Sequence, residues 1–298
     1  MDPKSPLNNG QCELVTEISV QAIIDSYNTF YKIDVSAYFQ GIQAINLYCC
    51  NLSRYQFYFP FNLSGDQFLY KQLSQFDWYY IPWKWEHQNS LQFINDSMSI
   101  LEIGCGDGSY LKRIRDLFPH NSVKGLELTP RDTQEAFVIN ETIQQHALLS
   151  KQSYDAVCFF QVLEHIADVK TFLESSIEAL KPGGILVISV PNNESVFLKN
   201  LLDTPLNLPP HHMGLWKKTS LKYLTKLFNI DLVKIDYEVI GEYHYDWFRN
   251  TLRKKISRLA IPFALRIANN CWFITNLSRL LRRFYQGPSI MAVYKKRL

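Results

Sequence analysis

Between Met98 and Tyr110 the chain reads M-S-I-L-E-I-G-C-G-D-G-S-Y, an apolar run that breaks into three glycines at alternate positions. Ile100, Leu101 and Ile103 suit a strand buried on both faces, which shows as a short apolar run rather than as alternation. Gly104, Gly106 and Gly108 allow positive φ and a close approach of backbone to ligand, which a Cβ would obstruct. The next stretch, Ser109 to Phe118, puts Leu111, Ile114 and Leu117 on one face and predicts a helix. Its partially positive N-terminus would point at whatever fills the turn.

A tight strand-to-helix turn with no ligand would also use glycines, so the turn needs support from further along the chain. The spacing is G-x-G-x-G, whereas the dinucleotide fingerprint is G-x-G-x-x-G, so a nicotinamide cofactor fits less well. A second short strand, Ser122 to Leu128, follows the helix and carries Glu127, 19 residues beyond Gly108. An acid about 20 residues past the glycines accepts hydrogen bonds from ribose hydroxyls in nucleotide-binding α/β folds. Tyr154 to Phe160 reads as a buried fourth strand, with Gln161 to Ile166 as the loop past its end. Lys181-Pro182-Gly183-Gly184 is a turn signal after a helix from Val169 to Leu180, and it leads into the apolar strand Ile185 to Val190.

These motifs, in this order over residues 95 to 195, resemble the class I S-adenosylmethionine-dependent methyltransferases. The resemblance is carried by Leu101 to Gly108, by Glu127, by Tyr154 to Ile166 and by Leu180 to Asn192. It lies nearest the small-molecule branch that includes quinone-biosynthesis and sugar methyltransferases. It implies a Rossmann-like, seven-stranded, mostly parallel sheet with an antiparallel last strand, and S-adenosyl-L-methionine as cofactor. Gly104, Cys105, Gly106, Asp107 and Gly108 would pass under the methionine and ribose portions. Glu102 would hold the amino group, and Glu127 with Leu128 would meet the ribose. Thr142 and Ile143, after a third strand at Phe137 to Ile139, would neighbour the base. Gln161, Val162 and His165 would close the cofactor loop. A charged residue inside an apolar strand needs a partner, so the competing reading of Glu102 is a capped or paired structural acid.

At 298 residues the chain is long enough for this core and for decorations. The expected division is an aromatic-rich N-terminal cap region at 1–90, the core at 91–240, a basic helical insertion at 241–286 and a final core strand at 287–298. Pro288 to Lys295 would insert antiparallel beside the strand Ile230 to Val239. The N-terminal region is dense in aromatics, which suggests a small sheet-rich cap, and Tyr79, Tyr80 and Trp85 would either border the pocket or simply pack. It lacks the basic start and apolar core of a signal peptide. Its three cysteines lack C-x-x-C spacing, so zinc is not expected there. The absence of any disulfide framework points to the cytoplasm.

From Trp247 to Leu298 there are twelve Lys or Arg and no Asp or Glu, although the whole chain carries only +3. Interleaved with Ile256, Leu259, Ile261, Phe263, Leu265, Trp272 and Phe273, this segment reads as a helical cap packed by its apolar side. The alternative is peripheral contact of 247–286 with an anionic membrane surface. A membrane span is ruled out by Arg258, Arg266, Asn269 and Asn270. Nucleic acid fits poorly, given the modest net charge and the lack of a nucleic-acid motif.

Displacement at a sulfonium methyl needs an aligned acceptor and a base rather than a metal. His211 and His212, in Asn207-Leu208-Pro209-Pro210-His211-His212, are the candidate catalytic residues, since imidazole titrates near neutrality and P-P-H-H recurs in similar methyltransferases. No third ligand is evident beside them, so no metal is expected. The expected activity is methyl transfer to a small-molecule acceptor such as a sugar, a lipid-linked compound or an aromatic hydroxylated metabolite. Rival readings are a nicotinamide-dependent oxidoreductase and a non-catalytic S-adenosylmethionine-binding protein.

Overall fold

The computed structural model describes residues 2–129, 135–259 and 269–298. The N-terminal region begins as β1 (Cys12–Ser19), α1 (Val20–Tyr31), β2 (Ala44–Cys50) and β3 (Gln56–Phe59), with the three strands antiparallel. The aromatic density suggested the sheet but not α1. That helix buries Val20, Ile23 and Tyr27, an i, i+3, i+7 stripe, into a cluster with Ile45, Leu47 and Tyr58. Two short helices follow, α2 (Gln67–Leu73) and α3 (Trp85–Ser90). The Asp66 carboxylate caps α2 by accepting from the backbone N–H groups of Phe68 and Leu69.

The core contains β4 (Ser99–Ile103), α4 (Ser109–Leu117), β5 (Ser122–Leu126), β6 (Val138–Ile139), α5 (Ile143–Leu149), β7 (Tyr154–Phe160), α6 (Val169–Ala179) and β8 (Leu180–Pro191). After β9 (Gly214–Leu215) come α7 (Lys218–Leu227), β10 (Ile230–Val239), α8 (Tyr245–Ser257), α9 (Cys271–Leu281) and β11 (Gln286–Lys296). Seven strands form one sheet in the order β6-β5-β4-β7-β8-β11-β10, parallel except for β11, which runs antiparallel to both neighbours. The short apolar runs read as strands because both sheet faces are covered. Leu101, Val157, Phe159, Leu186 and Ile188 are buried in one cluster, while Ile100, Ala156, Cys158, Phe160 and Val187 are buried in another. Strand order reverses at β4, which pairs with β5 on one side and β7 on the other, so a crevice opens beyond their carboxyl ends.

Two local expectations change. The turn signal at Lys181–Gly184 lies within β8 as a looped-out bulge: pairing with β7 jumps from Tyr154↔Leu180 to Ala156↔Ile185, with Gly183 at φ +76°. Ahead of β4, where the sequence predicts a helix from about Trp83 to Ile94, α3 ends at Ser90 and Leu91–Phe93 take 3-10 geometry. The spacing between β5 and β6 leaves room for only a short helix in Pro130 to Ala136, and most of that stretch, 130–134, lies outside the described residues. So do Ile261, Phe263, Leu265 and Arg266.

The N-terminal sheet is completed from the far side of the core by β9, which pairs with β3. This stitches the P-P-H-H segment over the crevice. Tyr58 N–H donates to the Met213 carbonyl at 3.0 Å, Tyr27 Oη to the Leu208 carbonyl at 3.0 Å and Gly65 N–H to the Pro210 carbonyl at 2.7 Å. The basic stretch between β10 and β11 carries α8 and α9, joined where Tyr245 Oη donates to the Thr275 carbonyl at 2.6 Å. Phe248 and Leu252 are buried, as a packed cap requires, but Trp272, Leu280 and Phe284 stand exposed.

Candidate active site

The crevice holds a cavity of about 390 Å³, within the size range of small-molecule sites. Its floor is the glycine turn. Gly104 and Cys105 donate their N–H groups to the Leu126 carbonyl at 2.8 and 3.1 Å, which ties the turn to β5. Gly104, Gly106 and Gly108 all have positive φ. A Cβ at Gly104 would sit 2.5 Å from Val162 Cγ2, whereas one at Gly106 would meet nothing within 4 Å, because it would project into the open cleft. Glu127 stands at the tip of β5, accepting from Gly106 N–H and Thr129 N–H, each at 2.9 Å. Its oxygens retain lone pairs for further donors.

Glu102 also lines the cavity and is almost fully buried, and its Oε2 has no hydrogen-bond partner among the described residues. Burial, reinforced by the nearby Glu127 and Asp107 carboxylates, holds it well above the usual carboxylate range. Lys84 at the rim acts in the opposite direction without reversing this. Glu164 is a second buried acid facing the cleft with an unpartnered Oε2, raised by burial to about 8. Acids left so short of donors fit a ligand that carries positive charge.

Across the cavity stand three histidines whose hydrogen bonds define their tautomers. His211 Nδ1 faces the Leu206 carbonyl at 2.9 Å, and His165 Nδ1 faces the His211 carbonyl at 2.6 Å. His212 Nδ1 faces Asn207 Oδ1 at 3.1 Å, and Asn207 in turn donates from Nδ2 to Asn193 Oδ1 at 2.7 Å. Those oxygens only accept, so each Nδ1 carries the proton and each Nε2 a lone pair. Tyr79 Oη donates to His211 Nε2 at 2.7 Å, while His212 Nε2 has no partner among the described residues. Burial keeps His211 and His212 well below the ordinary histidine pKa and His165 near 4, so all three are neutral at pH 7.

The structure brings Glu102, Gly104, Cys105, Gly106, Asp107, Glu127, Gln161, His165, His211 and His212 around one cavity. It does not bring Thr142 or Ile143 there. Thr142 Oγ1 caps α5 by accepting from Gln145 N–H, and Ile143 is packed in the core. Leu128 is solvent-exposed, Val162 packs against Gly104 and Gly108 against Phe137 and Val138, so none of these three lines the cavity. Tyr79 and Tyr80 border the cavity, and Trp85 packs against the core behind it. The expectation that no third ligand stands beside His211 and His212 is corrected, since one ring nitrogen of His165 lies within 4.8 Å of one from each. Sequence reasoning gave no role to Glu164, Lys84, His87 or Tyr110, which also line the cavity; Glu164 was within reach as the acid beside His165 in the loop after β7.

A family model described as a methyltransferase domain matches residues 83–235, just over half of the chain, from α3 into the middle of β10. The chain belongs to the methyltransferase domain family. It is therefore a member of the class I S-adenosylmethionine-dependent superfamily, as its glycine turn and strand order require. The domain is 30% identical over 156 residues to a probable S-adenosylmethionine-dependent methyltransferase of Mycolicibacterium smegmatis, covering 49% of this chain and 55% of the relative. It is 27% identical over 104 residues to the ubiquinone biosynthesis O-methyltransferase of Klebsiella pneumoniae, covering 31% and 42%. The chain thus spans about half the length of the curated relatives it matches. A SAM-dependent methyltransferase from Archaeoglobus fulgidus has the same fold, with a TM-score of 0.50 at 19% identity over 70% of this chain and 90% of that one.

Proposed function

We infer that this methyltransferase domain transfers a methyl group to a hydroxyl-bearing small molecule, a sugar, a lipid-linked compound or an aromatic metabolite. The observation that carries this reading is the neutral His212, whose unprotonated Nε2 lines the same cavity as the glycine turn. S-adenosylmethionine fits the residues present. Its ammonium and sulfonium match the unpartnered Glu102, the open face at Gly106 accepts close approach, and Glu127 has capacity for ribose hydroxyls. The bound cofactor supplies an electrophilic methyl group.

The protein's own task is to aim the acceptor and take its proton. His212 Nε2 accepts the hydroxyl proton, and Asn207 Oδ1 holds the Nδ1–H of the resulting imidazolium. His211, fixed between the Leu206 carbonyl and Tyr79, positions the phenol beside the acceptor. Tyr79 and the aromatic rim of Trp78 and Tyr80 exclude water.

Calorimetric titration with S-adenosylmethionine, S-adenosylhomocysteine and NAD tests the cofactor assignment. Micromolar binding of both sulfur compounds, lost in Glu127→Ala and absent for NAD, supports it. Binding of NAD alone supports an oxidoreductase, and binding of none of them a degenerate pocket.

A second reading concerns placement. Trp272, Leu280 and Phe284 are exposed beside Arg279, Arg282 and Arg283, which favours peripheral contact of 247–286 with an anionic membrane surface. Co-sedimentation with phosphatidylglycerol vesicles but not phosphatidylcholine vesicles is the expected result. No helix among the described residues is long and apolar enough to cross a membrane.

A further inference from the structure

A second cavity adjoins the active-site cavity at the histidines. Trp78, Gln161, Leu206 and His212 line both the active-site cavity and this second one, of about 480 Å³. Phe30, Asp203, Thr204 and Trp247 then line both that cavity and a third of about 710 Å³, under α8. Sharing walls in this way, the three cavities lie in a row as a trough, and the chemistry of their linings changes along it. The histidine end is polar, the middle is walled by Phe30, Tyr31, Trp78, Leu206 and Trp247, and the far end is cationic.

The far end carries Lys199, Arg253, Lys254, Lys255 and Arg258 against only two acids, Glu194 and Asp203. Asp203 is shared, lying 3.3 Å from Lys254 and 3.9 Å from Arg258. Glu194 accepts from the Lys218 backbone N–H at 3.1 Å and is not ion-paired to any of the five. Positive charge therefore exceeds negative charge in a concave site, which concentrates field on an anion. Guanidinium and ammonium groups together suit phosphate oxygens, the first by paired N–H donors and the second as a point charge.

We propose that this trough binds an acceptor carrying a diphosphate, with the methyl-accepting group at His212 and the diphosphate on Arg253, Lys254 and Arg258. The proposal rests on the methyltransferase reading and names its substrate class. A diphosphate ester of a sugar has this layout, whether its other arm is a nucleoside or an isoprenoid chain. The aromatic walls of Phe197 and Trp247, with ring centroids 4.3 Å apart, would contact that arm. The β10–β11 insertion thereby acquires a purpose, since without α8 the cationic end does not exist.

The test is calorimetric titration of the full chain with inorganic pyrophosphate, UDP and farnesyl diphosphate at fixed ionic strength. The wild type is expected to bind pyrophosphate, and Arg253→Gln/Lys254→Gln to lose at least tenfold. Asp203→Asn is expected to tighten binding several-fold, because it releases Lys254 and Arg258. A gain cannot come from misfolding. Tighter binding of UDP than of pyrophosphate assigns the outer arm to a nucleoside, and tighter binding of farnesyl diphosphate assigns it to an isoprenoid; either supports the class. No pyrophosphate binding, or equal binding by all three proteins, overturns it. S-adenosylhomocysteine is titrated alongside: its failure to bind would remove the methyltransferase reading, whereas normal binding with no diphosphate response would remove only the trough assignment.

Discussion

Tyr79 donates its hydroxyl to Nε2 of His211 at 2.7 Å, a contact between residues 132 positions apart that joins the N-terminal region to the segment after the fifth parallel strand. Burial raises the phenol and lowers the imidazole, so at neutral pH the pair is an uncharged donor and acceptor. His212, stacked on His211 with ring centroids 4.5 Å apart, lines the cavity and keeps an Nε2 lone pair without a partner among the described residues. In the proposed reaction the two adjacent histidines divide the work, one holding the phenol and the other accepting the proton.

That division separates two variants. His212→Ala removes the base, and the rate is expected to fall about 10²–10⁴-fold. Tyr79→Phe, which removes only a positioning hydroxyl, should fall by about tenfold, roughly 1.4 kcal/mol. S-adenosylhomocysteine affinity should stay within threefold of wild type in both. Formation of S-adenosylhomocysteine with a diphosphate-sugar mixture as acceptor measures the rates. Equal losses in the two variants would show that Tyr79, not His212, meets the acceptor.

If Glu102 holds the cofactor's cationic group as proposed, the cofactor's affinity should depend on pH. Burial and its acidic neighbours raise the Glu102 pKa and favour the protonated carboxyl, while a bound cation favours the ionised form. Binding must therefore release a proton, and affinity should rise with pH until the free protein's Glu102 ionises by itself. Glu102→Gln should bind S-adenosylmethionine at least tenfold more weakly and flatten this dependence. Calorimetry in buffers of different ionisation enthalpy counts the released proton directly.

The glycines of the turn should fail in different ways. At Gly104 an added Cβ meets Val162 at 2.5 Å in a φ +70° backbone, so Gly104→Ala should cost about 1–3 kcal/mol of stability. At Gly106 the Cβ meets nothing within 4 Å among the described residues, so Gly106→Ala should cost only about 1–2 kcal/mol of backbone strain. It should nonetheless abolish cofactor binding, because the methyl group occupies the cleft. Thermal unfolding with and without S-adenosylhomocysteine distinguishes the two.

The core was legible because its signals are local. An apolar run, alternate glycines and an acid at the next strand tip define β4, the turn and β5 within thirty residues, and Pro288 to Lys295 read as the antiparallel last strand that β11 forms. The histidine cluster was only half legible. His211 and His212 announce themselves as neighbours, but His165 joins them through a hydrogen bond to a carbonyl 46 residues away, which no spacing encodes. Thr142 and Ile143, expected beside the base, stand apart from the cavity lining for a similar reason: a helix-capping threonine and a core isoleucine look the same in sequence as pocket residues. β9 is two residues long, too short for any periodic signal, and its strand character comes from pairing with Gln56 and Phe57.

Glu164 supplies the last expectation, and its sign follows from linkage. Its folded pKa, about 8, lies above the 4.5 of an ordinary glutamate, so the unfolded chain gives up this proton more readily. The stabilising contribution is complete below about pH 4.5, declines as pH rises and is gone once pH passes about 8. Glu164→Gln keeps the shape and removes the titration. Relative to wild type, it should melt several degrees higher at pH 8.5 and nearly the same at pH 5. A saturating cationic ligand that pairs with the carboxylate should raise the wild-type melting temperature more than the variant's, and more at pH 8.5 than at pH 5. Equal melting shifts at both pH values would mean that the Glu164 carboxylate is already ionised and paired in the free protein.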